Sequence, residues 1–255
     1  PTAGSLLSST MERMQPVAVP TQGQLEALLG TKITRYAPLR LRDDGSHSQV
    51  FDLETDRGEY ILRVPRGQQG LYTAYLPRDV PRVRWFDQRW AIVTAHTLGI
   101  PSPRIVLSHQ RPPRFVILTK VPGVPIRDFD TWQNCPCDEA ELGALLAKVH
   151  SVTVSGYGPV DDFGHTYFDT WPAFVLAVAE RAMGACQARG SVDAELAARL
   201  RRRWYPRLAK VHLERPALLH MESLGFANLL YDSVSRIITG LLDYEDCIGG
   251  DPLFE

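Results

Sequence analysis

A chain of 255 residues, 44% hydrophobic and 22% charged, has an ordinary globular composition and enough length for one large domain or two lobes. Its formal net charge of -1 gives no reason to expect wholesale nucleic-acid binding. No apolar run approaches the ~20 residues of a membrane span and no signal peptide is visible, so a cytoplasmic protein with no membrane or nucleic-acid partner is expected.

In chain order, residues 1–20 are small, polar and dotted with proline, which predicts a flexible arm. Thr21 and Gln24 form a capping box that opens a short helix, and Gly30 closes it. Segments 33–42, 49–55 and 60–64 carry strand patterns, the last two joined by the turn Asp56-Arg57-Gly58. Tight turns between strands predict an antiparallel sheet. Residues 82–98 read as a helix stopped by Gly99-Ile100-Pro101, and Phe115 to Leu118 as a buried strand. Helices then dominate. Asp138 caps one, with Leu142, Leu145, Leu146 and Val149 as its apolar stripe; others are expected over 171–183 and 193–210. Two short strands follow, near 228–231 and 237–242.

Four cysteines, Cys135, Cys137, Cys186 and Cys247, have neither zinc-knuckle spacing nor a disulfide framework. The basic run from Arg199 to Lys210 contains Trp204 and Tyr205. Basic residues interleaved with aromatics can bind RNA, but the helical spacing here predicts a solvated amphipathic helix.

The chemistry concentrates in two strings. His220-Met221-Glu222-Ser223-Leu224-Gly225-Phe226-Ala227-Asn228 leads into the late strands, and Leu241-Leu242-Asp243-Tyr244-Glu245 leaves them. Phosphoryl transfer needs a carboxylate to orient the attacking hydroxyl, and an Asn and an Asp to hold magnesium against the phosphates. A loop running into a hairpin can supply all three. The strings resemble the H-G-D-x-x-x-x-N and I-D-W/F/Y-E motifs of the aminoglycoside-phosphotransferase family, and Gly249-Gly250-Asp251-Pro252-Leu253 resembles its G-D-P segment.

That resemblance implies an α+β, bilobal, protein-kinase-like fold with an antiparallel β N-lobe and a mainly helical C-lobe. It divides the chain into an arm (1–20), an N-lobe (21–118), a hinge (119–123) and a C-lobe (124–255). Tyr60-Ile61-Leu62-Arg63-Val64 resembles the third strand of the hygromycin B kinases, with Arg63 at the cation position facing the α/β-phosphates of ATP or GTP. A guanidinium can grip phosphate oxygens in a bidentate fork. Asp87 stands where a helix carboxylate would pair with that cation, and Gly45 and Ser46 where a loop would cover the phosphates. Thr119 and Val121 match hinge residues whose backbone would bind adenine. Asn228 and Asp243 would hold Mg²⁺, Glu222 would be the catalytic carboxylate, and His220 would be structural.

Two departures stand out. The family places Asp two residues after the His and Asn five after the Asp; Glu222 has the first spacing, but Asn228 lies six beyond it. The family's later helices, which help wall the acceptor pocket, have no counterpart before Glu255. The reading is an ATP-dependent O-phosphotransferase acting on a small hydroxylated acceptor, an aminoglycoside-like antibiotic in the first instance. The acids from Asp243 to Glu255 would suit a cationic acceptor. The alternatives are a catalytically degenerate kinase-fold protein that binds nucleotide or a partner, and a kinase of another hydroxylated metabolite.

Overall fold

The computed structural model describes residues 18–39, 48–66, 88–126, 139–221, 228–232 and 234–255. Helix α1 (Gln22–Leu29) is built as its sequence predicts. The Thr21 hydroxyl and the Gln24 side chain cap each other's backbone amides, and Gly30 ends the helix at φ 62°. Pro20, at the end of the expected arm, is buried, and its carbonyl accepts from the Tyr36 hydroxyl at 2.9 Å.

Five antiparallel strands follow: β1 (Ile33–Pro38), β2 (Ser48–Thr55), β3 (Gly58–Pro65), β4 (Ile105–His109) and β5 (Phe115–Thr119), in the order β1-β2-β3-β5-β4. Alternation divides their side chains between two cores. Leu53, Leu62, Val64, Phe115 and Ile117 pack with Leu25 of α1. Val116 and Leu118 point the other way, onto Ala91, Ile92 and Ala95 of helix α2 (Arg89–Thr97). Burial on both faces explains why β5 reads as an unbroken apolar run. Strand β4 was not anticipated; its Ile105, Leu107 and His109 alternate only weakly with their neighbours. Gln88, at φ 55°, sets the start of α2 at Arg89, later than the expected 82. Positions 82–87 lie outside the described residues.

The later part is mainly helical: α3 (Glu139–His150), α4 (Trp171–Ala188) and α5 (Ala194–Leu208). Helix α4 continues past the expected end at Met183, because its small and flexible side chains oppose no further turn. Helix α5 starts at the Asp193 cap, and its basic face is solvated as expected. Arg203 and Arg207 lie over the Trp204 ring at 5.6 and 5.3 Å, while Arg201 forks onto Glu180. The cap Asp138 and the pair Cys135 and Cys137 lie outside the described residues.

Two small sheets complete the fold. Strands β10 (Ile237–Leu241), β9 (Leu229–Asp232) and β6 (Val124–Pro125) form one; β7 (Gly158–Pro159), β11 (Ile248–Gly250) and β8 (Ala217–Leu219) form the other. Gly249 is needed here, since a Cβ would collide with the Gly156 carbonyl. The β7-β11-β8 sheet packs on Trp171 and Phe174 of α4. Among the described residues no helix is long and apolar enough to cross a membrane.

Phe174 is fully buried against Phe168 and Trp171, with ring centroids at 5.3 and 5.6 Å. Phe174→Ala removes that packing and should cost about 3–5 kcal/mol of unfolding free energy, read from urea denaturation. A loss below about 1 kcal/mol would show that this core relaxes around the cavity.

Candidate functional site

The site lies where β3 faces the chain leaving the β9–β10 hairpin. Leu229 pairs with Leu241, and one step on, the Leu242 amide donates to the Asn228 carbonyl at 2.8 Å. This bond brings Asn228 and Asp243 to the same end of the hairpin, which local spacing alone does not require. Asp243 adopts φ 65° and ψ 71°, a left-handed conformation rare for residues other than glycine. The chain turns sharply there into a 3₁₀ turn, Tyr244–Asp246.

Arg63 reaches across from β3. Its Nη2 donates to Asp243 Oδ1 at 3.2 Å and to Glu245 Oε2 at 3.1 Å, with only 16% of its side chain exposed. Burial works against the guanidinium charge, but the two carboxylates outweigh it and raise its pKa above the ordinary arginine value. Arg63 is therefore not a solvated surface cation.

Gln88 braces this junction from the start of α2. Its main-chain N–H donates to Asp162 Oδ1 at 2.8 Å, and its Oε1 accepts from the Tyr244 amide at 3.0 Å. Its Nε2 reaches Glu245 Oε2 at 3.5 Å.

The start of the predicted catalytic loop is held by Glu255. One carboxylate oxygen accepts from the Met221 amide at 2.8 Å; the other accepts from the His220 amide at 3.0 Å and meets His150 Nε2 at 2.9 Å. Met221 then turns with φ 71°. The His220 ring is fully buried and stands edge-on against Tyr244, centroids 4.9 Å apart, so it packs in the core there. Burial pushes the imidazole pKa down from its ordinary value, against the pull of Glu255 and Asp243.

At the hinge, the Thr119 amide donates to the Arg104 carbonyl at 2.9 Å, and Thr119 Oγ1 accepts from the Arg104 amide at 2.8 Å. The Thr119 amide is therefore committed, which leaves its carbonyl and its hydroxyl hydrogen to offer. Among the described residues none hydrogen-bonds the Val121 backbone. Lys120 ties the hinge to the buried Asp52 of β2 at 3.0 Å. Gly123, at φ 117°, passes so close to Thr239 and the Tyr231 backbone that a Cβ would not fit.

Of the residues singled out in the sequence, Arg63 and Asp243 meet, Asn228 is tied by main-chain pairing to the same end of the hairpin as Asp243, and Thr119 and Val121 lie on the segment expected to be the hinge. Glu222, Asp87, Gly45 and Ser46 lie outside the described residues. Gln88, Glu245 and Glu255 were missed as members of the site. Glu245 stood inside a quoted motif, but nothing local signalled the other two. The acids of 243–255 do not form a free acidic rim: Glu245 holds Arg63, Asp251 caps the amide of Leu253, and Glu255 holds the loop.

The donor chemistry suits a hard divalent cation. Asn228 and Asp243 offer amide and carboxylate oxygens, the kind Mg²⁺ takes from proteins while phosphates and water fill its other positions.

The profile of the phosphotransferase enzyme family matches residues 38–255. Among solved structures, a thermostable mutant of aminoglycoside phosphotransferase APH(4)-Ia, in ternary complex with ADP and hygromycin B, aligns with a TM-score of 0.67 at 18% identity, covering 93% of this chain and 75% of that one. Macrolide 2'-phosphotransferase MphH from Brachybacterium faecium aligns at 0.55 and 20% identity, covering 89% and 72%. A putative fructosamine-3-kinase from Haemophilus somnus 129PT aligns at 0.54 and 12%, covering 91% and 72%. At these identities the likeness is one of fold, and it bears out the bilobal, kinase-like architecture. No curated protein matches the chain by sequence.

The buried His220 carries a pH signature. Its imidazole stays neutral in the folded state, whereas the unfolded chain binds a proton below about pH 6.5. Stability is therefore fully present above that pH and falls as pH drops through it, because the unfolded state then takes up more protons. As pH falls below about 6.5 the wild type should lose more stability than His220→Phe in urea denaturation. Parallel losses in the two proteins would overturn the assignment.

Proposed function

This chain belongs to the phosphotransferase enzyme family, and on that premise we propose that it transfers the γ-phosphoryl group of ATP to a hydroxyl of a small molecule. The observation that carries the reading is the contact of Arg63 with Asp243, with Asn228 tied by main-chain pairing to the same end of the hairpin. These residues come from distant parts of the sequence, and each offers what a triphosphate and its metal require.

In this reading the lobes divide as 21–118 and 124–255 around a hinge at 119–123, and the nucleotide lies between them. The Val121 backbone and the Thr119 carbonyl face the base. Gly45 and Ser46 cover the phosphates, and Arg63 neutralises the α/β-phosphate oxygens. Asn228 and Asp243 hold Mg²⁺, which when bound offsets charge on the transferring phosphoryl group. Glu222 accepts the hydrogen bond of the acceptor hydroxyl and aims its oxygen. Catalysis then comes from positioning and charge neutralisation, with no covalent intermediate on the protein.

Aminoglycoside-like amino sugars are the first acceptors to test, because they fit the family and are named in a similar structure. The acceptor's cationic class finds no independent support in the acidic tail, since its carboxylates are largely committed to the fold. Neither nucleic acid nor membrane enters the reading. A catalytically silent, nucleotide-binding form of the fold is the second reading, favoured by the extra residue between Glu222 and Asn228.

Both readings meet one experiment. At ~100 times its dissociation constant, Mg·ATP should add about 2.7 kcal/mol to stability, seen as a rise of several degrees in Tm. Asp243→Ala should lose that shift and all turnover with an amino-sugar acceptor. Full turnover in Asp243→Ala would sink the metal assignment. A shift without turnover on any hydroxylated acceptor would favour the silent form.

A further inference from the structure

Arg63 is the cation of the nucleotide site, and a cation on a strand needs something to hold it. The family resemblance assigns that task to a carboxylate on the following helix, here Asp87. Among the described residues another carboxylate meets that cation. Resting on the nucleotide reading above, we propose that Glu245, braced by Gln88, is the positioning residue that keeps the Arg63 guanidinium at the phosphate position.

Three observations carry this. The same Nη2 atom of Arg63 is shared between Asp243 at 3.2 Å and Glu245 at 3.1 Å. Asp243 is the carboxylate a metal would recruit, and sharing its charge with the metal would weaken its hold on Arg63. Glu245 would then keep the hold. Second, Glu245 is itself fixed. It sits on the Tyr244–Asp246 turn, whose first amide is held by Gln88 Oε1 at 3.0 Å, and its Oε2 meets Gln88 Nε2 at 3.5 Å. Gln88 is anchored in turn by its main-chain bond to Asp162 at 2.8 Å. Third, the described residues of helix α2, Arg89 to Thr97, carry no acid of their own.

Electrostatics favour the same division of labour. A largely buried guanidinium requires a counter-charge throughout, and stripping one from it leaves an uncompensated ion. With only Asp243 as partner, Arg63 would follow that residue toward the metal. A second carboxylate fixed to α2 leaves Arg63 in place while Asp243 turns to the cation. A purely stabilising salt bridge would serve the folded state alone, with no effect on turnover by a folded enzyme.

The test uses the full chain with Mg·ATP, reading nucleotide affinity by calorimetry and turnover as acceptor-independent ATP hydrolysis. Glu245→Gln should lower turnover about tenfold or more while the dissociation constant moves less than about threefold, the split expected when a group is mispositioned rather than removed. Glu245→Asp should recover part of the rate. In an Arg63→Ala background, Glu245→Gln should add less than about twofold, because the two act as one unit. Gln88→Met, which keeps chain length but removes the polar contacts, should show the same split and serves if Glu245→Gln fails to fold. Wild-type turnover in folded Glu245→Gln overturns the proposal. So does a fully additive loss in the double variant, which would place Glu245 on the metal. If the wild type binds no nucleotide, the nucleotide reading fails first and this proposal with it; binding with an indifferent Glu245→Gln sinks the proposal alone.

Discussion

The structure depends on one ion cluster. Arg63 on β3 is largely out of water, and its charge is tolerated because Asp243 and Glu245 meet it from the far side of the cleft. That contact joins residues 180 positions apart and fastens the antiparallel sheet to the chain leaving the β9–β10 hairpin. Gln88 adds the third side by linking the start of α2 to the same turn. Sheet, helix and turn thus share one set of buried polar groups, and none can shift without leaving a charge or an amide unpaired.

The segment between Met221 and Asn228 is bounded by two main-chain anchors. Before it, Glu255 takes the amides of His220 and Met221; after it, the Asn228 carbonyl takes the Leu242 amide. The extra residue that separates Glu222 from Asn228, relative to the family pattern, falls inside these fixed ends. The departure is therefore confined to the span that, in the proposed reading, would aim the acceptor hydroxyl. Asn228 and Asp243 keep their relation through hairpin pairing, which an insertion upstream does not alter.

Similar folds carry different acceptors in the names of the structures compared: hygromycin B, a macrolide, fructosamine. The fold is shared while the acceptor differs, because function lives in side chains placed around the fold. In this chain even the acids that look like an acceptor rim are mostly structural. Counting charges along the sequence overstates the field they present, because a carboxylate bonded to a buried guanidinium or to amides no longer offers its charge to a ligand.

The sequence by itself determined much. The capping box of α1, the strand alternation and the buried β5 were all legible, because each is written in neighbouring residues and their period. It also named Arg63, Asn228 and Asp243. Only the tertiary structure decided what those residues do to one another. It put Glu245 beside Arg63, set Gln88 rather than an expected helical turn at the start of α2, and gave Glu255 to the loop at His220. It also showed β4, whose weak alternation hid it. The physical reason is the same in each case: these bonds close between side chains and amides brought together by packing, and no local spacing encodes a partner scores of residues away.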